Sequence, residues 1–302
     1  MTIEEREWFK NVRVAVGTGL EHMSSTMEAI YCRLHQVRVA VADSLLSVYV
    51  SKRKRRGTLL MLHGLTGSKR VWIRFARRFT RDYHVIIPDL PGHGDTEFGK
   101  DLDYQVSAHC ARMIQMLDAL GIERVHLAGS SMGGFIGAQL AVEHPDRVRS
   151  LALFAPAGIA SPIASELDAM LAHGHNPFLV RNKADYERFY DLIMSKPPFT
   201  PSVVKDHFAR QYQLRREQIS HMFAAYHASP TLTARLHNIS VPTLVVWGGE
   251  DKVLHPSSID IWKKRIPHVS AEVWPDVGHM PVLEQPGRTS GRLEAFLNAI
   301  EG

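Results

Sequence analysis

The chain has only two cysteines in 302 residues, Cys32 and Cys110, far apart and outside any C-x-x-C pair. That spacing argues against a disulfide framework or a thiolate zinc site, and two free buried thiols are expected. The 17 histidines include no H-E-x-x-H, and His173-Gly-His175 has no carboxylate beside it, so neither a metal nor a cofactor is expected. No apolar run approaches the length of a membrane span. The opening residues, Met1-Thr-Ile-Glu-Glu-Arg-Glu7, are acidic and lead into no apolar segment of the kind a secretory signal needs. A cytoplasmic protein is therefore expected, with any membrane association left to a surface helix. What the chain does have is hydrophobic content, 45% of its residues, enough for one large core and an insertion.

The most informative stretch is Val125-His-Leu-Ala-Gly129-Ser130-Ser131-Met132-Gly133-Gly134. It reads as a buried strand turning sharply into a helix with a serine at the tip. Ser131 has Gly129 two residues before it and Gly133 two after, the G-x-S-x-G spacing of a nucleophile elbow, whereas Ser130 has Ala128 and Met132 in those places. The glycines are needed because a turn that pushes one hydroxyl into a pocket brings strand and helix backbones too close for Cβ atoms.

A serine so placed needs an acid and a base later in the chain, each on a loop after a strand. Val241-Pro-Thr-Leu-Val-Val-Trp247 is an unbroken apolar run of the kind buried on both faces of a parallel sheet, and Gly248-Gly249-Glu250-Asp251 follows it. Asp251 is the candidate acid and Glu250 the runner-up. Ala271-Glu-Val-Trp274 is a shorter strand, followed by Asp276-Val-Gly-His279, and His279 is the candidate base. Upstream, Thr58–Leu62 runs into His63-Gly64-Leu65-Thr66-Gly67. Leu65 and Met132 are the candidate backbone donors of an oxyanion hole.

The elbow, His63-Gly64, Pro88-Asp-Leu-Pro-Gly-His-Gly94, Ala155-Pro-Ala-Gly158, Asn176-Pro-Phe178, Trp247-Gly248, Asp251-Lys-Val253 and Gly278-His279 together resemble the α/β-hydrolase-fold serine hydrolases over residues 57–300. The likeness is nearest to monoacylglycerol lipases and related bacterial lipases and phospholipases. The resemblance implies an α/β fold with a mostly parallel central sheet flanked by helices, and a helical cap inserted after the sixth strand. It also implies a carboxylic ester hydrolase of the lipase or esterase type, acting through Ser131, Asp251 and His279. One such fold hosts many chemistries, so the substrate does not transfer with it.

Along the chain, residues 4–35 read as a helix with Trp8, Val12, Val16, Leu20, Met23, Met27, Ile30 and Leu34 at three- and four-residue steps. This apolar stripe is expected to pack on the protein body or on a second copy in a homodimer. Peripheral membrane contact is the other option, since related lipases can carry an anchoring helix before the core. Val37–Val41 and Leu45–Val50 read as an antiparallel pair. Then come Lys52-Arg-Lys-Arg-Arg56, Lys69, Arg70, Arg74, Arg77, Arg78 and Arg81 without an intervening Asp or Glu, more than the whole net charge of +5. A run like this can mark a nucleic-acid or anionic-membrane surface. The strand at 58–62 leads away from the basic turn toward the catalytic loop, however, so most of these charges are expected on a solvated surface at the far end of the sheet, with no nucleic-acid partner. Asp89 precedes the serine and breaks the triad order, so a structural role in its Pro-Gly turn is expected.

From 157 to 235 strand and helix cease to alternate, and helices near 163–172, 184–194 and 202–227 are broken by Pro177, Pro197, Pro198 and Pro201. This divides the chain into an N-terminal amphipathic helix (1–36), a core (37–156 and 236–302) and a cap (157–235) over the strand ends, where open α/β sheets bind ligands. Phe178, Phe189, Ile193, Met194, Phe199 and Met222 are the candidate substrate-binding residues, and a Met- and Phe-rich roof favours an acyl chain over a charged metabolite. Two rivals stay open. One is a carbon–carbon bond hydrolase of ring-cleavage products, with Arg181, Arg188 and Arg210 available for carboxylates. The other is a ligand receptor or scaffold on the same fold.

Overall fold

The computed structural model describes residues 3–54 and 56–301, apart from the side chains of residues 3–11, 13 and 22. The residues on either side of Ala42-Asp43 form a hairpin, β1 (His35–Val41) and β2 (Ser44–Val50), with His35 opposite Val50 and Val41 opposite Ser44. The apolar runs become β3 (Thr58–Leu62), β4 (His84–Pro88), β5 (Val125–Ser130), β6 (Val148–Phe154) and β7 (Thr243–Gly248), buried at every position except Arg149. Strands this apolar suit a parallel sheet covered on both faces. The last strand, β8 (Ser270–Trp274), is an edge and largely unburied. The order is β1-β2-β4-β3-β5-β6-β7-β8, antiparallel from β1 through β2 to β4 and parallel elsewhere. The chain leaves β3 for β4 on one side and returns to β5 on the other. The loops after β3 and β5 diverge there and leave a crevice.

Helices cover the sheet. They are α1 (Ile3–Tyr31), α2 (Ile73–Ala76, after a 3-10 turn at Lys69–Trp72), α3 (Val106–Ala119), α4 (Met132–Glu143), α5 (Glu166–Ala172), α6 (Lys183–Ile193), α7 (Ser202–Leu214), α8 (Arg216–His227), α9 (Ser258–Arg265), α10 (Pro281–Glu284) and α11 (Pro286–Glu301). One face of the sheet packs against α3, α4 and α9 through residues such as Met113, Ile136 and Trp262. The other packs against the 3-10 turn, α2 and α11 through Trp72, Phe75 and Leu293. Helices α5 to α8 lie between β6 and β7 in sequence and carry an apolar cluster of their own, including Leu167, Tyr186, Phe189 and Met222. The single helix expected over 202–227 is two, separated at Arg215 (φ −99°, ψ 12°). No proline or glycine breaks it. The Arg215 guanidinium bonds to the Gly92 carbonyl in the core, and that anchor coincides with the break.

The N-terminal helix departs from expectation. Its inward line is Gly17, Glu21, Ser25 and Ala29, one residue per turn, and the large residues Val12, Val16, Leu20, Met23, Met27 and Ile30 face outward, Ile30 at 70% exposure. The body therefore leaves the stripe uncovered from Val12 to Ile30 and buries only its last member, Leu34; the Trp8 side chain lies outside the described residues. The reason is distance of approach. A β-carbon at Gly17 would stand 2.1 Å from the Val203 carbonyl oxygen of α7, so only the small-residue face can make this contact. The two cysteines are free and buried, and burial raises both thiol pKa values.

Candidate active site

Ser131 sits between the last residue of β5 and the first of α4, with φ 54° and ψ −117°. A non-glycine residue held there stores roughly 1–3 kcal/mol of strain. The surrounding backbone enforces it: the Ser131 N–H donates to the Phe154 carbonyl at 3.0 Å, and its own carbonyl accepts from Phe135 and Ala157, each at 3.1 Å. Both elbow glycines are sterically required. A β-carbon at Gly129 would lie 2.4 Å from the Gly133 oxygen, and one at Gly133 would lie 2.2 Å from the Leu62 oxygen. The neighbouring Ser130 hydroxyl is buried without a partner among the described residues, whereas Ser131 lines a cavity.

Asp251 follows β7 and its carboxylate is fully engaged. Oδ1 accepts from the Val253 and Leu254 N–H groups, each at 2.9 Å, and Oδ2 accepts from His279 Nδ1 at 2.8 Å and Trp247 Nε1 at 3.1 Å. An ionised carboxylate can only accept, so Nδ1 of His279 carries the proton and Nε2 of the neutral ring is left as a base. Both side chains are buried. No hydrogen bond joins Ser131 Oγ to the imidazole among the described contacts, but both residues line the same cavity. In unliganded sites such bonds are commonly long, and they tighten when substrate binds. Glu250 points elsewhere, to the Ser195 hydroxyl. Sequence reasoning passed over Glu284. Its carboxylate accepts from Ser195 N at 2.9 Å, Lys196 N at 2.8 Å, Gly278 N at 3.1 Å and Met280 N at 3.2 Å, so it ties the residues flanking His279 to the cap.

The loop after β3 lies against the elbow, with Gly64 so near that a β-carbon would come within 3.1 Å of Ser131 Cβ. His63 holds this loop: Nε2 accepts from Leu90 N at 3.1 Å, so Nδ1 is the donor to the Gly64 carbonyl at 2.8 Å. Complete burial lowers the His63 pKa and favours the neutral ring. Leu65 and Met132 flank the site, and neither N–H has an acceptor among the described turns and caps.

A family model for the alpha/beta hydrolase fold matches residues 57–205 and 168–286. The chain belongs to the α/β-hydrolase family. This hydrolase is 34% identical over 248 residues to Lipase 1 of Psychrobacter immobilis, covering 80% of this chain and 77% of that one. It is 28% identical over 287 residues to the monoacylglycerol lipase ABHD6 of Mus musculus, covering 88% and 83%. Among solved structures, a membrane phospholipase A described as a bacterial virulence factor matches with a TM-score of 0.89 at 30% identity, over 99% of this chain and 100% of that one.

The hydrolase's cavity, about 590 Å³, runs from Ser131 and His279 up into the cap. Phe178, Phe189, Ile193 and Met194 line it. Two expected residues do not. Phe199 is 94% exposed, on the proline-rich loop outside the cap core. Met222 is buried in the cap's interior, its sulfur only 2.5 Å from where a Gly92 β-carbon would be, so it packs the cap onto the core loop. Tyr186, Tyr212, Ile219 and Tyr226 line the cavity unforeseen; their helical spacing was visible, but the direction of that face was not.

Most of the basic run is exposed to solvent, as expected, but Lys69 and Arg70 depart from that reading. Lys69 is fully buried, bonded to Asp89, to Asp95 at 2.6 Å and to Ser47 Oγ at 3.0 Å. Arg70 bonds Asp95 at 3.1 Å and lines the cavity. Arg56, Arg74 and Arg78 pair with Glu301, Glu28 and Glu294. Acids distant in sequence thus pair with five cations of the run, Asp95 with two of them, and Arg70 sits beside the site rather than at the far end. Arg55 lies outside the described residues. Asp89, fully buried, accepts from the Lys69 and Asp95 backbones and holds its turn together.

Proposed function

We propose that this chain hydrolyses carboxylic esters with an apolar acyl part, monoacylglycerol- or lysophospholipid-like, through an acyl-enzyme on Ser131. One observation carries the reading: Ser131 and the Asp251–His279 pair open onto a single cavity whose cap wall is Phe178, Phe189, Ile193 and Met194. The relatives named as lipases support it. His279 Nε2 takes the Ser131 proton as Oγ attacks the ester carbonyl, Asp251 holds the imidazole in the productive tautomer, and the Leu65 and Met132 N–H groups stabilise the oxyanion. The alcohol leaves with the proton from His279. Water, deprotonated by the same nitrogen, then releases the acid. The carbon–carbon hydrolase alternative is not favoured. Arg181, Arg188 and Arg210 do not line the cavity, and Arg188 is paired with Asp185. A graded panel of p-nitrophenyl esters, monoacylglycerols and lysophospholipids tests the reading. Hydrolysis with a medium-chain preference is expected, and turnover confined to a diketo acid would reject it.

We further propose that the outward stripe of α1 touches a lipid surface peripherally. No described helix is long and apolar enough to cross a membrane. The stripe from Val12 to Ile30 is exposed, and Arg77, stacked 4.1 Å from the Tyr31 ring, lies beside its end. Apolar contact with an adjacent cation suits an anionic interface. Co-sedimentation with anionic vesicles that Met27→Glu with Ile30→Glu abolishes is expected. A protein that stays in the supernatant as a dimer, and becomes a monomer on the same change, would assign the stripe to a second copy.

A further inference from the structure

The cavity is chemically divided. Its cap side is aromatic and aliphatic, but the end where α1 meets α7 and the 3-10 turn is lined by Thr18, Glu21, Arg70, His207 and Gln211. The N-terminal helix thus contributes to the site with its inward side, not with its apolar stripe.

The hydrogens at this end can be assigned. Thr18 Oγ1 donates to the Val14 carbonyl at 2.8 Å, and a hydroxyl has one proton to give. Its 2.7 Å bond to His207 Nδ1 therefore runs from the ring to the hydroxyl. Burial lowers the His207 pKa, with Arg70 adding to the effect and Glu21 opposing it, so the ring is neutral and Nε2 remains an acceptor. The Arg70 charge is shared between Asp95 at 3.1 Å and Glu21 at 3.4 Å. Gln211 offers an amide donor and acceptor that hold no hydrogen bond among the described residues. This end therefore presents neutral donors and acceptors around a cation paired with Glu21 and with Asp95, a carboxylate that Lys69 shares. An incoming phosphate or carboxylate would meet Glu21 and Asp95, whereas hydroxyl groups would find partners of both kinds.

We infer that the α1–α7 end of the cavity seats the uncharged, hydroxyl-bearing alcohol part of the substrate, a glycerol-like polyol, and that Thr18, Glu21, His207 and Gln211 determine specificity for it. The inference rests on the ester-hydrolase reading and narrows it, since the alcohol must sit across Ser131 from the acyl chain in the cap. It also makes α1 part of the substrate site.

The test compares kcat/KM for 1-monolauroylglycerol, methyl laurate and 1-lauroyl lysophosphatidate on the full chain and on Thr18→Val, Glu21→Gln, His207→Phe and Gln211→Leu. All three esters are measured on one preparation, so any loss of folded protein cancels from the ratios. The wild-type protein should favour monolauroylglycerol over both other esters. Each variant should lower the monolauroylglycerol to methyl laurate ratio about tenfold, the size of one lost hydrogen bond. Glu21→Gln should also raise the relative rate on lysophosphatidate. Unchanged ratios in all four variants, with esters still hydrolysed, would overturn the inference and leave the ester-hydrolase reading standing. So would a wild-type preference for lysophosphatidate. A wild-type protein that cleaves none of the three would overturn both.

Discussion

Trp247 donates its indole N–H to the same Asp251 oxygen that holds His279: Nε1 lies 3.1 Å from Oδ2, and His279 Nδ1 lies 2.8 Å from that atom. The indole is fully buried and also reaches the Leu254 carbonyl at 3.0 Å. It holds the same carboxylate oxygen that the imidazole binds and is a positioning residue. Trp247→Phe keeps most of the volume but removes the donor. A hydrogen bond to a charged group contributes about 1.5–3 kcal/mol, so kcat should fall roughly 10- to 100-fold with KM little changed. Steady-state kinetics on the best ester checks this, and a changed KM with an intact kcat would reduce Trp247 to packing.

At the elbow, Ser131→Ala should abolish labelling by a fluorophosphonate probe, whereas Ser130→Ala should retain it, because the Ser130 hydroxyl is buried away from the cavity. Labelling that survives the first change would remove Ser131 as the nucleophile.

For the acid, Asp251→Asn should lower kcat by roughly 10⁴ in a folded protein, since an amide can hold the imidazole in the wrong tautomer. Glu250→Gln should do little, its carboxylate being turned toward Ser195. Circular dichroism beside the kinetics separates loss of chemistry from loss of fold.

Glu284→Gln tests the tie between the cap and the residues flanking His279. The carboxylate serves four backbone donors, and a glutamine has one oxygen to offer them. Leaving one or two of these part-buried N–H groups without their charged acceptor should cost about 1 kcal/mol, lowering Tm by a few degrees and kcat with it. An unchanged melting curve would show that the donors find other partners.

Acid should destabilise this fold through its buried histidines. Burial lowers the His109 pKa to about 3, and burial likewise lowers those of His63 and His93. The folded protein keeps the His109 ring neutral, while the unfolded chain takes up a proton near the ordinary value of about 6.5. Between those two values, each unit of falling pH favours the unfolded chain by about 1.4 kcal/mol for such a group. The contribution is complete above pH 6.5 and is lost as pH falls. Urea midpoints at pH 7 and pH 5 should drop for the wild-type protein and drop less for His109→Gln.

The sequence by itself determined the sheet, the elbow and the family. Runs such as Thr243–Trp247 are satisfied as strands covered on both faces, and Gly129 and Gly133 stand where backbone contacts leave no room for a side chain. These are local demands, written in neighbouring residues. The choice of Asp251 over Glu250 as the carboxylate that meets His279 was made by the turn after β7, whose Val253 and Leu254 N–H groups draw one carboxylate inward. The face of α1 that packs was settled by the approach to Val203, because periodicity shows that a helix has two sides but not which neighbour comes close. The division of the cavity into an apolar cap wall and a polar end arose only on folding. Thr18, Glu21, Arg70, His207 and Gln211 lie on segments remote in sequence, and only tertiary packing brings them together, which no spacing along the chain can reveal.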